Sequence, residues 1–547
     1  MGSMGLPYGL QAMLKDGHKH FSGVDEAVVK NIEACRGLSN ITRTSLGPNG
    51  MNKMVINHLD KLFVTSDTAT IVTELEVEHP AAKLLVMAAK AQEAEIGDAT
   101  NLVITLAGEL LAAAGDLLRD GLHTSEVADG YAAAGAKALD ILKSLIHPGS
   151  EELDVRDSAA VAQRITGAVA SRFYGYESVL SPLIADACIA VCPKNPANFN
   201  VDNVRVAKIA GGGIQDSQLI QGVVIKRDAE GTLRHVTDAK VAVFAQGIDT
   251  SGTETKGTVL LRNAEELQSY SRSEEDRMEQ LIKGIADSGA RVVVAGSAIG
   301  EMAMHFVEKY GLMAVRIPSK FDLRRFCRAT GSTALAKVGS PSAEELGFAK
   351  SLKAVEIGGT NCLLLEQEVG SSGGGIATMV LRAATDNVLD DLERAVDDGV
   401  NAYKALCKDA RTVVAGGGSE LEVARQLAEH GRKETGLEQY AYAKFAEALE
   451  VVPRVLAENS GLNATEAVNR LQAAHAEGQA EAGLDIETGQ PADLKTDKGL
   501  MDLYAAKWWA MKFAVDAAVT VLRVDQIIMA KQAGGPKPRG DGAMDDD

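Results

Sequence analysis

The chain has 547 residues, of which 46% are hydrophobic and 24% charged, and its formal net charge is −19. A chain of this length exceeds one compact core, so two or three domains are expected. The negative charge argues against a nucleic-acid partner, which would require a basic face for the phosphates. No apolar run is long and uncharged enough to span a membrane, and the N-terminus lacks a signal-peptide pattern.

Three helices and two short strands are predicted in the first 120 residues. Apolar residues at helical spacing over residues 22–46 predict a helix that Ser22 caps and that a Gly-Pro pair ends. The stretches KMVI and KLFVTSD have the composition of short strands. A second helix, AAKLLVMAAKAQEAEI, follows a His-Pro pair. The third begins almost at once within DATNLVITLAGELLAAAGDLL, whose first residues include good N-caps.

The middle of the chain is richer in strands, and its end is helical again. DAKVAVFAQGI, ARVVVAGSA and LMAVRI are predicted strands, with helices such as GEMAMHFVEKYG between them. After about residue 380, DDLERAVDDGVNAYKAL, LEQYAYAKFAEAL and AKWWAMKFAVDAAVTVLRVDQIIMAK are predicted helices. This order fits either three consecutive domains or one helical domain interrupted by an insertion, and composition does not choose between them.

The cysteines are scattered along the sequence, which is typical of reduced thiols in a cytoplasmic protein. They are Cys35, Cys188, Cys192, Cys327, Cys362 and Cys407. Cys188 and Cys192 are one helical turn apart, but no histidine or cysteine cluster joins them in the sequence. Buried thiols are therefore favoured over a metal site.

Three aspartates stand beside turn signals and could serve phosphoryl transfer. That reaction needs Mg²⁺, held by one or two carboxylates, and a carboxylate that orients or deprotonates water. Pattern alone favours a structural role for each: Asp98 as a helix N-cap, Asp67 as a turn residue and Asp398 as a solvated helix residue. Glycines 416–418 lie between a predicted strand and helix, a good place for an anion or a ribose. No Walker loop is present.

Several motifs in a fixed order give the sequence a specific family resemblance. They are TSLGPNGMNKM, FVTSDTATIV, HPAAKLLVMAAKAQEAEIGDATN, DDLERAVDDGV, VVAGGGSE, PRVLAENSG, GLDIETG and VLRVDQII. Together they resemble a group II chaperonin subunit over residues 17–530, essentially the whole chain. The paired tryptophans in AAKWWAMKFA and the end AVTVLRVDQIIMAKQAGGPKPRG most resemble one subunit type of the eukaryotic cytosolic chaperonin.

The resemblance implies a multidomain α/β fold of the chaperonin type. It consists of a helical equatorial domain, an α/β intermediate domain that acts as a hinge, and an α/β apical domain that binds substrate and carries a lid protrusion. The implied segments are 1–150 equatorial, 151–220 intermediate, 221–366 apical, 367–402 intermediate, 403–532 equatorial and 533–547 a disordered acidic tail.

The resemblance also implies a site for ATP or ADP with Mg²⁺. Asp98 would ligate the metal, and Asp67 and Asp398 would position and activate the attacking water. Asp502 would contact the adenosine through its ribose. The nucleotide would be bound by Leu46, Gly47, Pro48, Asp98, Ala99, Thr100, Asn101, Leu102, Ala170, Ser171, Gly417 and Asp502.

Three motifs depart from the family pattern. GDGTT reads GDATN with Ala99 in place of glycine, TNDGAT reads TSDTAT, and the lysine of the nucleotide-sensing loop is Arg172. If the backbone at Ala99 needs a positive φ, alanine costs about 1 kcal/mol there. Arginine keeps the charge of lysine in a different geometry. The three acidic residues are intact, so ATP binding and hydrolysis are expected, and slow hydrolysis is compatible with these departures.

The implied function is that of an ATP-driven chaperone subunit in a double ring of paralogous subunits, which folds cytosolic proteins such as actin and tubulin. The apical face would include residues 251–257 and FDLRRFCRATG, where Arg324, Arg325 and Arg328 would attract acidic client segments or form a solvated basic face. The alternative is a structural ring subunit that binds ATP and is catalytically weak or inert. A stand-alone metabolic ATPase has less support, because no small-substrate motif is present.

Overall fold

The computed structural model describes four parts of the chain, which are residues 19–21, 24–249, 264–367 and 375–529. The expected cap Ser22, the expected apical residues 251–257 and the expected acidic tail lie outside these parts. All secondary-structure bounds below refer to the described residues.

The first part of the chain is mainly helical, as predicted. Its elements are β1 (Lys19–Phe21), α1 (Val24–Arg43), β2 (Lys53–Ile56), β3 (Leu62–Thr65), α2 (Thr68–Glu74), α3 (Pro80–Glu95), α4 (Thr100–Arg119) and α5 (Thr124–Ser144). Strands β2 and β3 pair in an antiparallel hairpin. The three long helices and both strands predicted for this region are confirmed. Proline at the first position of α3 is well placed, since that residue needs no intrahelical N–H bond.

Helix α4 is the central helix of this region. Among the described residues it is the one helix long and apolar enough to cross a membrane, with 72% of its apolar window buried inside the protein. It packs against α1, α3 and the later helices of the chain. Burial on most sides is the pattern of a core helix.

The middle of the chain alternates strands with helices. Its elements are α6 (Ser158–Ala170), α7 (Glu177–Ala190), β4 (Val204–Ala210), β5 (Gln218–Ile225), β6 (Ala229–Glu230), β7 (His235–Phe244), α8 (Ala264–Asp287), β8 (Ala290–Ala295), α9 (Glu301–Lys309), β9 (Met313–Arg316), α10 (Lys320–Thr330), β10 (Ala334–Leu335), β11 (Gly347–Ile357), β12 (Thr360–Glu366) and β13 (Ala377–Ala383). Three single-turn 3₁₀ helices lie before and after β4. The strands predicted from alternation and β-branched content are confirmed.

These strands form one mixed sheet of ten strands among the described residues, in the order β4-β13-β5-β12-β11-β7-β8-β9-β6, with β10 beside β7. Strands β7, β8 and β9 are parallel and are joined through α8 and α9, as parallel neighbours require. Strand β13 pairs in parallel with β4 although the two are far apart in sequence. The chain therefore enters the strand-rich part through β4 and leaves it through β13, and these two strands are neighbours in the sheet.

The last part of the chain is helical again. Its elements are α11 (Asp386–Lys408), β14 (Thr412–Val414), α12 (Gly418–Gly431), α13 (Glu438–Leu449), α14 (Val451–Asn459), α15 (Ala464–Ala476), β15 (Gly483–Leu484), β16 (Pro491–Ala492), α16 (Leu494–Lys498), β17 (Met501–Leu503), α17 (Tyr504–Leu522) and β18 (Ile527–Met529). The prediction of one helix over 506–531 is wrong at its end. The helix stops at Leu522, and residues 527–529 pair with β1 as a strand.

Helices from the two ends of the chain share one hydrophobic core, which contains Leu85 and Leu110 from the first part and Phe445 and Val521 from the last. A second core lies among α6, α7, α11, β4 and β13. Two further cores lie on the opposite faces of the sheet around β7 and β8, because alternate residues of these strands belong to one core or to the other. The helical region is thus continuous in space and interrupted in sequence.

Candidate functional site

A cavity of about 540 Å³ lies among segments from both ends of the chain and the end of α6. Its volume is within the range of small-molecule sites, about 300 to 1,000 Å³. Five separate stretches of sequence contribute every residue that the family resemblance assigns to the nucleotide. These residues are Leu46, Gly47, Pro48, Asp98, Ala99, Thr100, Asn101, Leu102, Ala170, Ser171, Gly417 and Asp502.

The turn after α1 forms one wall of this cavity. Gly47 has a φ of 82°, a conformation that favours glycine. A Cβ added there would lie 2.5 Å from Cδ2 of Leu456 on α14. The side-chain amide of Asn459 donates to the Leu46 carbonyl at 2.8 Å and holds the turn in place. Glycine is therefore needed for both the bend and the close packing.

The N-terminus of α4 forms a second wall. Ala99 is its N-cap residue, with φ 63° and ψ 22°, and no side chain caps the helix. The alternative that Asp98 is an N-cap is therefore wrong; its Oδ1 accepts only the adjacent Ala99 N–H, at 2.6 Å. The first N–H groups of a helix lack intrahelical partners and attract anions. The buried Thr100 hydroxyl also has no hydrogen-bond partner among the described residues. These donors suit a phosphate group.

Replacing Ala99 by glycine is expected to stabilise the protein by about 0.5 to 1 kcal/mol. The left-handed conformation of Ala99 costs an L-residue about 1 to 2 kcal/mol, and the greater freedom of glycine in the unfolded chain offsets part of the gain. Urea unfolding followed by tryptophan fluorescence measures the change, since both tryptophans lie on α17, which packs against α4. An unchanged or lower unfolding midpoint would contradict the strain argument.

Asp98 fits a cation that is shared with a bound ligand. Burial raises the pKa of this carboxyl, and the charges of Arg172 and Lys507 only partly offset the rise. No basic side chain among the described residues forms an ion pair with Asp98, and these residues contain no cluster of three or more His, Cys, Asp or Glu for a metal. Magnesium commonly binds one or two carboxylates and takes its other ligands from phosphates and water. One buried carboxylate beside phosphate donors meets that requirement.

The third wall combines the glycine run with strand β17. Gly417, with φ 74°, is the N-cap of α12, so the predicted strand–glycine–helix arrangement is confirmed. Asp502 lies opposite Val413 in the pairing of β14 with β17. Its Oδ2 lies 3.0 Å from Nζ of Lys507, which also pairs with the buried Glu420. Lys507 therefore fixes the position of the Asp502 carboxylate at the edge of the cavity.

Asp67 and Asp398 meet on one guanidinium group beside the cavity. Arg172 donates from Nη2 to Asp67 Oδ1 at 2.7 Å and from Nε to Asp398 Oδ2 at 2.5 Å. Asp67 also caps α2, accepting from the N–H groups of Ala69 and Thr70. Asp398 lies on α11 and is only 6% exposed, so the alternative of a solvated helix residue is wrong. The structure brings together both carboxylates that the resemblance assigns to water activation.

The two carboxyls differ in pKa although they share Arg172. Burial alone would raise the pKa of Asp67, but Arg172 and the hydrogen bonds from Thr70 and Ala69 hold it below its ordinary value. Burial raises the pKa of Asp398 well above its ordinary value, and Arg172 offsets this only in part. Asp398 is therefore the group suited to accept a proton, while Asp67 stays ionised.

An acidic cleft of about 550 Å³ is lined by both of these carboxylates, neither of which lines the first cavity. Burial, followed by the charge of Asp67, raises the pKa of Glu93 to about 7. Burial and the charge of Glu393 raise the pKa of Asp397 to about 6. Lys208 and Arg394 also line the cleft. Asp398 therefore shares this cleft with charged side chains of both signs.

Sequence reasoning missed the role of one charged residue of this site and the presence of another. It identified Arg172 as the counterpart of a lysine but not as the bridge between Asp67 and Asp398. It did not single out Lys507 at all. The segment AAKWWAMKFA offers no signal for it, because it contains both Lys507, which is 12% exposed, and Lys512, which is 42% exposed.

Comparison with known proteins identifies the family of the chain and agrees with the predicted fold class. The TCP-1/cpn60 chaperonin family matches residues 38–532, and the chain belongs to this family. It is 56% identical to T-complex protein 1 subunit theta of Arabidopsis thaliana over 97% of this chain and 96% of that protein. It is 51% identical to the human subunit theta over 98% of each chain, and 50% identical to that of Dictyostelium discoideum over 98% and 99%. The predicted family is confirmed, and so is the likeness to this subunit type.

Proposed function

We propose that this chaperonin chain is an ATP-hydrolysing subunit of a cytoplasmic, hetero-oligomeric double ring that encloses and folds other proteins. The convergence of twelve expected nucleotide-binding residues on one cavity, with Asp67 and Asp398 beside it, carries the proposal. The names of the relatives support a complex of several subunit types, since each is called subunit theta of T-complex protein 1. Actin and tubulin are proposed as clients by family resemblance alone.

In the proposed site the chain supplies phosphate donors, a metal ligand and a proton acceptor. Thr100, Asn101 and Leu102 present their N–H groups to the phosphates, and Gly47 allows the opposite wall to approach them. Asp98 holds Mg²⁺, which when bound neutralises phosphate charge. Asp398 accepts a proton from the attacking water, and Asp67 orients that water. Arg172 must release at least one carboxylate for this step, because both are occupied in the described geometry.

The domain division implied by the resemblance is part of this proposal. The shared helical core supports an equatorial domain built from 1–150 and 403–532. The core around α7 and α11 supports an intermediate domain built from 151–220 and 367–402. Strands β6 to β12 of the mixed sheet support an apical domain over 221–366, while β4 and β13 of the same sheet lie in the intermediate segments and β5 spans the boundary. On its α10 face Phe321 is 70% exposed near Arg324 and Arg328, which suits a client with apolar and acidic segments.

A structural ring subunit with weak hydrolysis is the second candidate, and two observations favour it. Ala99 holds a left-handed conformation that glycine would adopt without strain. Arg172 neutralises Asp67 and Asp398 together, which lowers the tendency of either to accept a proton. Both candidates share ATP binding and differ in turnover.

Purification of the native protein from its source tests the proposal. Negative-stain microscopy is expected to show an eight-membered double ring, and mass spectrometry is expected to find related but distinct chaperonin subunits in it. ATP with Mg²⁺ is expected to bind the purified ring, and EDTA is expected to weaken that binding. A stable monomer or small homo-oligomer without such partners would contradict the proposed ring.

The β2–β3 hairpin is expected to be part of the ring contact. Its large apolar side chains are exposed, with Met54 at 69%, Ile56 at 64% and Leu62 at 50%. A contiguous exposed apolar patch marks an interaction surface. Replacing Ile56 by aspartate is expected to reduce incorporation into the ring about tenfold or more, because it introduces a charge into an apolar contact.

Co-purification of the tagged variant with the other subunits measures this effect. Leu437→Asp is the matched control, because Leu437 is an exposed apolar residue, 47% accessible, at the start of α13. Equal incorporation of Ile56→Asp and the native chain would exclude the hairpin from the ring contact.

A further inference from the structure

Gln92 is a buried residue whose amide joins the turn before α4 to helix α17. It lies on α3 and is 0% exposed. Its Nε2 donates to the Asp98 carbonyl at 2.9 Å and to the Ala506 carbonyl at 3.3 Å. Because both partners are acceptors, the nitrogen of the amide must face them. Gln92 lines neither of the two cavities, so it acts on the site only through such contacts.

The turn that contains Asp98 is held from two sides. From α3, the Gln92 carbonyl accepts from the N–H groups of Ile96 at 2.9 Å and of Gly97 at 3.3 Å, so backbone and side chain of Gln92 fix three successive residues. On the other side, Gly97 has a φ of 80° and packs against α11. A Cβ added there would lie 2.3 Å from Cγ of Asn401. The turn is therefore enclosed between α3 and the helix that carries the proposed general base.

The Asp98 carboxylate takes its position from its own main chain. Its Oδ1 accepts the adjacent N–H of Ala99 at 2.6 Å. The hydrogen bonds of α4 begin one residue later, where the Ala99 carbonyl accepts from the Val103 N–H at 3.4 Å. The Asp98 carbonyl thus precedes the ladder of the helix, and the Gln92 amide is the donor that ties it to the core.

The Gln92 amide is unfavourable as a purely structural group. Its Oε1 is buried and has no hydrogen-bond partner among the described residues. A buried acceptor without a partner loses the hydrogen bonds that it makes to water in the unfolded chain, and an apolar side chain of similar size would avoid this cost. A buried polar atom that is left unsatisfied in a native fold needs an explanation. The bond to the Asp98 carbonyl supplies one.

We propose that Gln92 is a positioning residue for Asp98 and holds it in the orientation that binds Mg²⁺. This inference rests on the proposed ATP site and extends it to a residue outside the cavity. The second bond of the amide, to Ala506, reaches the helix whose next residue is Lys507, and Lys507 pairs with Asp502. One buried amide therefore links the proposed metal ligand to the helix that fixes the proposed ribose contact.

Replacing Gln92 by methionine is expected to raise the Mg²⁺ concentration that half-saturates nucleotide binding by about tenfold, since loss of a group that orients a metal ligand typically lowers metal affinity about 10- to 100-fold. Methionine is similar in length and adapts to irregular core space, but it donates no hydrogen bond. Nucleotide affinity without metal is expected to stay unchanged, because the free N–H groups at the start of α4 remain.

Fluorescence titration with mant-ADP measures the two affinities, once with Mg²⁺ and once with EDTA. The assembled ring is used, and every other subunit in it carries asparagine at the position equivalent to Asp98. The metal-dependent part of the binding then comes from this subunit. Electron paramagnetic resonance of Mn²⁺, added with ADP in place of Mg²⁺, measures bound metal without any reference to hydrolysis. Gln92→Met is expected to bind Mn²⁺ about tenfold more weakly than the native chain.

Asn31→Leu is the matched control. Asn31 lies on α1, which packs against α4, and is 0% exposed. Neither its oxygen nor its nitrogen has a hydrogen-bond partner among the described residues. The substitution therefore removes a buried amide from the same helical region and leaves the turn at Asp98 untouched. It is expected to keep the native dependence on Mg²⁺.

The outcomes separate this inference from the proposed function. A native ring whose mant-ADP binding does not depend on Mg²⁺ would overturn the proposed metal site and this inference with it. Where native binding depends on Mg²⁺, an unchanged Mg²⁺ requirement in Gln92→Met, or an equal loss of affinity with and without Mg²⁺, overturns this inference alone. The same change in Asn31→Leu also overturns it. If Gln92→Met does not enter the ring, Gln92→Asn replaces it: its amide is one methylene shorter, falls short of the Asp98 carbonyl and is expected to raise the Mg²⁺ requirement likewise.

Discussion

Replacing Asp398 by asparagine is expected to lower ATP hydrolysis by about 100- to 10,000-fold, the contribution typical of a positioned general base. Burial already raises the pKa of Asp398, and asparagine has the shape of the protonated carboxyl. It also keeps an oxygen that accepts from Arg172 Nε. The substitution should therefore remove proton acceptance with little cost to folding, and ATP binding should remain.

Single-turnover phosphate release measures the rate of hydrolysis. The measurement uses a ring in which every other subunit carries asparagine at the position equivalent to Asp398, so that the phosphate released comes from this subunit alone. Asp386→Asn is the matched control, since Asp386 lies on the same helix three turns away and is exposed to solvent. If the native subunit hydrolyses ATP and the Asp398→Asn variant does so at the same rate, another group accepts the proton. A native subunit without turnover would favour the structural ring subunit.

Local pattern predicted the elements whose residues repeat regularly, and it failed where a distant partner decides the structure. The helix over 100–119 and the strands over 53–56 and 290–295 follow from apolar spacing. The segment VLRVDQII is compatible with both helix and strand, because β-branched residues suit either a buried helix face or a sheet. Its first two residues end α17, and its last two, with Met529, become a strand because residues 19–21 from the opposite end of the chain pair with them.

The site shows the same limit at the level of single residues. The acidic residues could be selected from the sequence because each stands beside a turn, but their alternatives could not be excluded there. Asp98 is not a cap because Ala99 takes the left-handed conformation, which local pattern does not predict for alanine and which only the glycine of the family motif suggested. Asp67 and Asp398 are more than 300 residues apart, and only the fold shows that Arg172 joins them. Long-range charge pairing leaves no periodic signal in a sequence.

Replacing Lys507 by methionine is expected to destabilise the protein by about 3 kcal/mol. Its ammonium group pairs with Glu420, whose side chain is 3% exposed, and removing one partner of a buried pair leaves an uncompensated charge. Burial alone would lower the pKa of Lys507, but Asp502 and Glu420 raise it above its ordinary value. A raised lysine pKa means that the stabilisation is fully present below about pH 10.4 and is lost only as pH rises beyond the folded pKa, so neutral pH measures it in full.

Urea unfolding followed by fluorescence is well suited to this test, because the two tryptophans of the chain are the residues that follow Lys507 on α17. Lys512→Met is the matched control: this lysine lies on the same helix in an exposed pair with Asp516, and its loss should cost less than about 1 kcal/mol. The double variant Lys507→Met, Glu420→Gln should recover most of the loss, because it removes both buried charges together.

If Lys507→Met were as stable as Lys512→Met, the ion pair would not hold β17 and Asp502 in place. ATP affinity, to which Asp502 is proposed to contribute, should then also be unchanged, whereas a loss of stability with weaker ATP binding would link the buried pair to the proposed nucleotide site.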